Sequence, residues 1–361
     1  MKKISLLLAC LLCASAGNAQ TVALLNDGGA SLSIDGYLVG YGLYNGTSGR
    51  SSGTNSLDFA GYGKIGFKGD RQIDKDSRFG AYVELLTDPD AGGSGAGVFR
   101  ETYVYAEGGY GRFEIGRARN MPRKIHISAP DVGLLDVDGT YYLGYISPPD
   151  GFVYISSTAF TTDRESNKIN YISPSFYGWQ VAGSYIPGSS DLRGDSTLKY
   201  DKFRKGWTAS LKYGSDWGLG FDVGLAGFRD MNTPLSEAAK RDEFSVGAKY
   251  YVRGFQVSAS YRTISEDDVS GLKSQDGYAV SYGLAYEFGP VEISISNLSS
   301  KTVGDAAVAG VDRFGLAMLS GKYAVGEYVD LSASVGRIEY RFEDAASQSG
   351  PLVLAGFQVN F

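Results

Sequence analysis

Few residues in this chain of 361 could carry out acid–base, nucleophilic or metal chemistry. Its single histidine is His126, and its two cysteines, Cys10 and Cys13, lie near the amino terminus. No serine motif accompanies His126 that would complete a set of nucleophile, base and orienting group. One histidine cannot build a zinc site alone. The sequence therefore predicts a protein that is not an enzyme and that needs no cofactor.

Carboxylates are the remaining candidates for metal binding. Asp136 and Asp138 lie in a long segment of the chain that also contains His126. Carboxylate oxygens are ligands that Ca²⁺ accepts. A Ca²⁺ ion at these loop carboxylates is therefore kept as an alternative to the absence of any cofactor.

The amino terminus has the layout of a secretory signal peptide. Lys2 and Lys3 precede an apolar stretch over residues 4–13, and small residues follow as far as Ala19. We predict cleavage after Ala19, with Ala16 as the second choice, so that residues 1–19 are the signal and 20–361 form one domain. A lipoprotein signal ending at Cys10 is the alternative, but its apolar region would be only about six residues, below the usual minimum of about 7.

Composition and charge narrow the class of the mature chain. Loss of Lys2 and Lys3 leaves 32 of the 34 basic residues against 40 acidic residues, a net charge of −8. A nucleic-acid-binding surface needs a basic excess, so nucleic acid is not predicted as a partner. The 50 glycines, 26 tyrosines and 18 phenylalanines, with no long apolar run after the signal, favour strands over membrane helices.

Apolar and polar residues alternate along most of the mature chain. In residues 278–288, for example, the even positions are Tyr, Val or Leu and end in Phe288, whereas the odd positions are small or polar. Such a period of two is typical of strands, and aromatic residues at the ends of the apolar face suit membrane interfaces. Counting these segments predicts 16 strands, which start near residues 33, 57, 78, 99, 112, 164, 178, 205, 218, 242, 254, 276, 290, 311, 328 and 352.

The links between these segments alternate in length. Short links rich in Gly or Pro, such as 108–111 and 289–290, alternate with long polar links such as 45–56, 187–204 and 230–241. Short turns at one rim and long loops at the other are typical of an outer-membrane barrel. The fold class predicted is all-β, a 16-stranded antiparallel transmembrane β-barrel with an aqueous lumen.

The last segment, PLVLAGFQVNF, ends on Phe361. Val353, Phe357 and Phe361 fall on one face of this predicted strand. An exposed terminal aromatic residue would be a liability in a water-soluble sheet, but it suits a strand whose outer face meets lipid. The strand is therefore predicted to close the barrel.

One link is much longer than the others. About 40 residues, Asn120 to Asp163, separate the predicted strand over 112–119 from the next one. Loops longer than about 15 residues are usually functional. A large surface loop is one interpretation, and the other is that this third long loop folds into the lumen and narrows it.

Several motifs of the chain resemble the general porin family of Gram-negative outer membranes. Residues 63–69 (GKIGFKG) look like the second-strand motif of that family, and the segments from Val98 to Arg117 are similar to its fourth and fifth strands. Residues 164–174 (RESNKINYISP) resemble its sixth strand, and Phe361 completes the pattern. The resemblance implies a trimer of 16-stranded barrels, each with a third loop that folds inward and faces a row of basic side chains.

The same resemblance, carried over residue by residue, implies which side chains form the basic side of the constriction. They are Lys64, Arg100, Arg117 and Arg164, of which Arg100 is the weaker match. Alternation places Lys64 and Arg164 on the polar face. Arg117 shares its parity with apolar Phe113 and Ile115, so it requires a strand end or a bulge near Gly116. Simple solvated charges without a role in selectivity are the alternative.

The opposing acidic side would come from the long loop. Asp131, Asp136 and Asp138 are the candidates, although no family motif fixes their register. Cations that face carboxylates across a narrow opening produce a transverse field, which orients dipolar solutes and sets ion preference.

The predicted function is an outer-membrane porin that lets ions and small hydrophilic solutes diffuse passively. A substrate-selective channel for sugars or anions is the alternative, but it would need an aromatic ladder or a denser basic row. The predicted location is the outer membrane of a Gram-negative bacterium, and the predicted partners are membrane lipid and lipopolysaccharide, two further copies of the chain, and the barrel-assembly machinery that reads Phe361. The acidic cluster at 266–268 is predicted to be a solvated loop tip, bridged to lipopolysaccharide by divalent cations.

Overall fold

The computed structural model describes residues 22–27, 29–47, 56–87, 99–139, 152–188, 203–233, 236–267, 273–305, 310–342 and 347–361. The predicted signal peptide lies outside these residues.

Nearly all of the regular structure consists of β-strands. The strands are β1 (Val22–Asp27), β2 (Ala30–Asn45), β3 (Leu57–Gln72), β4 (Arg78–Leu86), β5 (Phe99–Gly108), β6 (Gly111–Arg117), β7 (Asn167–Ile172), β8 (Trp179–Gly188), β9 (Arg204–Gly214), β10 (Leu219–Thr233), β11 (Ser236–Val252), β12 (Phe255–Asp267), β13 (Lys273–Phe288), β14 (Val291–Asp305), β15 (Asp312–Ala324), β16 (Val329–Arg341) and β17 (Gln348–Asn360). One short helix, α1 (Met121–Ile125), follows β6. Within the described part of the chain, no helix has the length and apolar character needed to cross a membrane.

Strands β2 to β17 form a closed barrel in which each strand pairs antiparallel with its neighbours in sequence. The ring closes where β17 pairs with β2, in a register that joins Leu352 to Asn45 and Asn360 to Tyr37. The prediction of a 16-stranded antiparallel barrel is therefore confirmed. Strand β1 was not predicted, and it pairs as a hairpin with the first residues of β2.

The carboxyl terminus takes part in this closure. The backbone N–H of Phe361 donates to the carbonyl of Gly36 at 3.0 Å, and Gly36 N–H donates to the Phe361 carbonyl at 2.9 Å. A Cβ atom at position 36 would approach the Phe361 ring to 3.0 Å, so the ring lies over a residue that has no side chain. Backbone pairing and the glycine together hold the terminal aromatic residue at the seam.

In the barrel strands the pattern of burial is the reverse of that in water-soluble sheets, because polar side chains are buried and apolar side chains are exposed. On β14, Ser294 and Ser296 are buried, whereas the intervening Ile293 and Ile295 are exposed. Polar side chains buried beside exposed aliphatic ones indicate an outer surface made for lipid. We call the two sides of the strands the polar face and the apolar face.

The polar face is not polar everywhere. On β16, buried Ile338 and Tyr340 share the face of Ser332 and Ser334, and on β17 Leu352 and Leu354 share the face of Asn360. The small or polar character of the second face in residues 278–288 therefore does not extend to the strands near the closing seam. The reason is that residues of the long loop pack against these side chains and exclude water from them.

Three strand boundaries also differ from the prediction. The predicted long link 230–241 is mostly strand, because β10 continues to Thr233 and β11 begins at Ser236. Pairing that continues beyond the apolar band does not require alternating hydrophobicity, so the pattern could not reveal it. The strand predicted from Arg164 begins at Asn167, which leaves Arg164 in the preceding turn.

Candidate functional site

The site is built where β3, β4 and β5 meet both ends of the long loop. Lys64 of β3 approaches Glu84 of β4, with 3.4 Å between Nζ and Oε2. Arg100 of β5 lies between two carboxylates, since its Nε is 3.8 Å from Glu84 Oε1 and 3.3 Å from Glu165 Oε1. Lys64 and Arg100, both predicted to be on the basic side, are thus joined through Glu84.

Three arginines converge on one oxygen of Glu165. The distances to Glu165 Oε1 are 3.3 Å from Arg100 Nε, 3.6 Å from Arg119 Nε and 3.3 Å from Arg123 Nη1. Burial alone would raise the pKa of Glu165, but Arg123, Arg100 and Arg119 outweigh it and lower the pKa below its usual value. Glu165 is therefore ionised at neutral pH.

Arg119 also connects this group to the neighbouring strands. Its Nη2 lies 3.4 Å from Glu84 Oε1, and its backbone N–H donates to Glu101 Oε1 at 2.8 Å. We call Lys64, Arg100, Arg119 and Arg123, with Glu84, Glu101 and Glu165, the charged cluster. It contains four cations and three carboxylates, so its formal charge is +1.

Lys64 and Arg119 are the most exposed members of the charged cluster. The side chains of Lys64 and Arg119 are 24% and 27% exposed, whereas that of Glu84 is 2% exposed. Because these two cations lie nearer the solvent than Glu84, they contribute more than Glu84 does to the potential at the water-facing surface.

Arg117 and Arg164 flank the charged cluster. β6 ends at Arg117, as the parity of this residue required, and Gly116 before it has a φ of 142°. The Arg117 Nε donates to the backbone carbonyl of Glu165 at 3.0 Å. Arg164 has a left-handed backbone with a φ of 45°, which is unusual for a residue other than glycine. Its carbonyl accepts from Lys168 Nζ at 2.9 Å.

The three predicted loop acids differ in their surroundings. Buried Asp131 accepts from the backbone N–H groups of Gly133 at 2.9 Å and Val137 at 3.1 Å, so it shapes the loop itself. Buried Asp138 accepts from the Thr158 N–H at 2.8 Å and joins the two arms of the loop. Asp136 is exposed.

The loop segment that carries these acids reaches the strand that carries Lys64. The hydroxyl of Tyr62, two residues before Lys64 on β3, donates to the carbonyl of Leu134 at 2.5 Å. Residues two apart on a strand share a face. The acidic stretch and the basic stretch therefore belong to one neighbourhood, although they are more than 60 residues apart in sequence.

The outgoing arm of the loop, residues 118–139, follows the polar face from strand to strand. Its backbone N–H groups donate to serine hydroxyls: Met121 to Ser184 of β8 at 2.8 Å, Ala129 to Ser281 of β13 at 3.3 Å, and Val132 to Ser294 of β14 at 3.1 Å. These contacts account for the small polar residues at buried positions of those strands.

The returning arm, residues 152–166, makes similar contacts. The Ile155 N–H donates to Ser300 of β14 at 3.2 Å, and Arg262 of β12 donates to the Ser157 carbonyl at 3.1 Å. Arg262 is itself buried and pairs with Glu243 at 2.7 Å. An apolar cluster accompanies these contacts, in which Leu134, Leu135, Val137, Phe152 and Ile155 of the loop pack with residues of β2 and β12 to β17.

His126 contacts both the barrel wall and the returning arm of the loop. Its Nδ1 lies 2.9 Å from Asp222 Oδ2 of β10, and its Nε2 lies 3.0 Å from the Thr158 hydroxyl. The ring thus links the outgoing arm to the wall and to the returning arm. Within the described ranges, no group of three or more His, Cys, Asp or Glu residues is arranged to hold a metal ion.

The acidic cluster at 266–268 is only partly as predicted. Glu266 is largely buried, with 2.7 Å between its Oε1 and the Nε of Arg241, and it accepts from the hydroxyl of Ser274 at 2.8 Å. The prediction of a solvated tip is therefore wrong for Glu266, because its carboxylate forms an ion pair with buried Arg241. Asp268 lies outside the described residues.

The prediction from sequence did not include several residues of the site. They are Glu84, Glu101, Arg119, Arg123, Glu165 and Lys168. Alternation with Tyr82 could have placed Glu84 on the polar face, and Glu165 and Lys168 lie inside the motif at 164–174. No local signal marks Arg119 and Arg123, because both follow the end of β6.

Comparisons with known proteins agree with the architecture. A family model described as Gram-negative porin matches residues 5–343. No curated protein matches the chain.

Solved structures with the same fold share little sequence with the chain. The anion-selective porin from Comamonas acidovorans is 16% identical, with a TM-score of 0.69 over 92% of this chain and 100% of that one. OmpF of Salmonella typhi, in complex with daunomycin, is 15% identical, with a TM-score of 0.65 over 93% and 100% of the two chains. The trimer form of OmpT from Vibrio cholerae is 12% identical, with a TM-score of 0.61 over 91% and 99%.

Proposed function

The chain belongs to the Gram-negative porin family and is an outer-membrane β-barrel that forms a channel, and from this premise we propose that it is a passive pore whose charged cluster sets its preference among small solutes. The observation that carries the proposal is the set of hydrogen bonds between the long loop and buried serines of β8, β13 and β14. Passive diffusion needs no catalytic group, in agreement with a family of channel proteins.

We propose that the long loop lies in the lumen and narrows it. Three features support this: the hydrogen bonds to the polar face, the apolar cluster that binds both arms, and the contact between Tyr62 of β3 and the Leu134 carbonyl. Lys64, Arg100, Arg117 and Arg164 then belong to the basic side of the constriction, together with Arg119 and Arg123. Asp136, the exposed one of the three loop acids, is the acid proposed to face them, whereas Asp131 and Asp138 act through the shape of the loop.

An anion preference is favoured over a cation preference, despite the net charge of −8. Lys64 and Arg119 are more exposed than Glu84 and Glu101, so solutes that reach the charged cluster meet these two cations before those two carboxylates. A structural neighbour is described as an anion-selective porin. A channel specific for anions is therefore the second candidate function, and the first is a general pore that favours them.

Planar-bilayer recordings in a salt gradient test the proposal. A unit charge about 7 Å from an ion in water changes the free energy of that ion by about 0.6 kcal/mol, which is a factor of about 2.7 in its local concentration. Replacing Lys64 and Arg164 together by alanine should therefore lower the anion-to-cation permeability ratio by about sevenfold or more. Arg341→Ala, at an exposed strand end, is the control and should leave the ratio unchanged. An unaltered reversal potential in the double variant would contradict the basic side, and the absence of discrete conductance steps would contradict the pore.

We further propose that residues 1–19 are removed on export, that the barrel assembles as a homotrimer surrounded by lipid and lipopolysaccharide, and that Phe361 is read by the barrel-assembly machinery. One neighbour is described in a trimer form.

Two measurements test these proposals. Before heating, the protein in outer-membrane extracts should run above monomer size on a semi-native gel. Phe361→Ala should lower the amount of folded protein severalfold. Gln358→Ala, on the same strand, is the control. A species that never exceeds monomer size argues against the trimer, and normal yields of Phe361→Ala argue against the signal.

A further inference from the structure

Glu165 occupies a place that resembles a binding site for an anion. Its Oε1 is the common contact of Arg100, Arg119 and Arg123, which come from β5, from the start of the loop and from helix α1. Guanidinium groups from separate segments that converge on one carboxylate are the usual means of recognising a carboxylate-bearing ligand. Here the ligand belongs to the chain itself.

The turn that presents Glu165 is strained. Arg164, immediately before it, adopts the left-handed conformation, and the turn is held by bonds from Arg164 N–H to the Thr161 carbonyl at 3.1 Å and from Ser166 N–H to the Asp163 carbonyl at 3.2 Å. Such a conformation persists only where surrounding contacts outweigh its cost. The three arginine contacts belong to those that keep Glu165 in place.

Glu165 engages only part of each guanidinium, although Arg100 and Arg119 also contact Glu84. Each guanidinium has five N–H donors, and the contacts to Glu165 involve one nitrogen from each arginine. Glu165 is 15% exposed, so its carboxylate lies near the solvent rather than sealed behind the wall. A second carboxylate that arrives from solution can therefore compete for the same donors.

We propose that Arg100, Arg119 and Arg123 form a binding site for the carboxylate of a permeating solute, and that the Glu165 side chain fills this site as a tethered competitor when no solute is present. The inference rests on the proposed function, because the solute reaches the arginines through the channel. Exchange involves no covalent step: the solute carboxylate takes the arginine contacts as the Glu165 carboxylate leaves them for water. Small monocarboxylates are the solute class, since the competitor is itself one carboxylate on a short alkyl stem.

Propionate is the appropriate probe, because it reproduces the end of a glutamate side chain, and propionamide is its neutral counterpart. Single-channel conductance would be measured over a series of potassium propionate and potassium chloride concentrations. If Glu165 fills the site about 80% of the time, Glu165→Gln should lower the half-saturating propionate concentration about fivefold. The value for chloride should change less, and added propionamide should have no effect.

Asp70→Asn is the matched control for loss of one negative charge. Asp70 has the same 15% exposure as Glu165 and pairs with Lys68, outside the charged cluster. If Glu165 acts through its charge alone, the half-saturating concentrations of propionate and chloride should shift by the same factor as each other in each of the two variants. Adding Arg119→Gln to Glu165→Gln should restore a high half-saturating concentration, and an unheated gel would verify that each variant is folded.

The outcomes separate this inference from the proposed function. Channels that conduct normally but have equal half-saturation for propionate in the wild type and Glu165→Gln would overturn the binding site and leave the pore in place. Equal shifts for propionate and chloride would also overturn it, in favour of a simple charge effect. Absence of conductance in the wild type would instead overturn the pore.

Discussion

Lys168→Met is expected to free both ends of the long loop and to raise single-channel conductance. Lys168 Nζ lies 2.8 Å from Asp163 Oδ2, and both side chains are fully buried. The ammonium also donates to the carbonyls of Ala118 and Arg164, one at each end of the loop. The substitution leaves Asp163 as a buried charge with the Asn120 amide as its remaining side-chain donor, at 2.6 Å. Removing one partner of a buried ion pair costs about 3–5 kcal/mol.

The loss of this one contact is small compared with the strand pairing of the whole barrel. The loop is therefore expected to detach before the strands separate. If the loop narrows the lumen, its release increases conductance and current noise in bilayers. Lys322→Met is the control, because Lys322 pairs with Glu292 at 2.7 Å in a partly exposed position, where such a pair contributes about 1 kcal/mol or less. The double variant Asp163→Asn with Lys168→Met should recover much of the wild-type conductance, since it removes the unpaired charge. Wild-type conductance in Lys168→Met would show that the pair does not anchor the loop.

Ile155→Asp is expected to detach the returning arm of the loop from the wall. Ile155 is almost fully buried in the apolar cluster, between residues of the loop and the seam strands. Truncation of a buried isoleucine to alanine alone costs about 2–5 kcal/mol, and a carboxylate at that place adds the penalty of an unpaired buried charge. The hydrogen bond from the Ile155 N–H to Ser300 at 3.2 Å is too weak to compensate for this loss.

Limited trypsin digestion of the refolded protein in detergent measures this detachment. Arg123 and Lys124 are partly covered in the folded loop, and both take part in ion pairs. Release of the returning arm should remove the Glu165 contact of Arg123, so mass spectrometry should detect faster cleavage after Arg123 in Ile155→Asp. Ile155→Leu, which conserves volume and costs less than about 1.5 kcal/mol, should remain resistant. Equal resistance of both variants would mean that the apolar cluster does not hold the arm.

The two expected results concern different parts of the loop and different forces. The Lys168 pair holds the ends of the loop by charge, and the apolar cluster holds its middle by burial. The variants should therefore add when combined, because the two groups do not share a partner. Together they explain how a segment with one short helix can keep a defined course across the polar face.

The sequence predicted the barrel because the property that makes a barrel strand is local. Alternation over two residues decides which face each side chain joins, and it identified 16 strands with starts that lie within a few residues of most of those observed. Strand β1 and the extensions of β10 and β11 were not predicted, because they need only backbone pairing. The position of Arg117 shows a middle case: parity indicated that the strand must end or bulge near Gly116 if Arg117 is to face the lumen, and the strand ends at Arg117 without a bulge.

The sequence by itself thus determined the strand pattern, the closing segment that ends in Phe361 and the position of Lys64 on the polar face. Only the tertiary structure revealed the apolar patch on that face, which depends on loop residues that cover it. It also revealed the charged cluster, in which Arg100 and Glu165 meet from positions 65 residues apart. The physical reason is that strand alternation depends on near neighbours, whereas an ion pair between distant segments depends on barrel register and on the course of the loop.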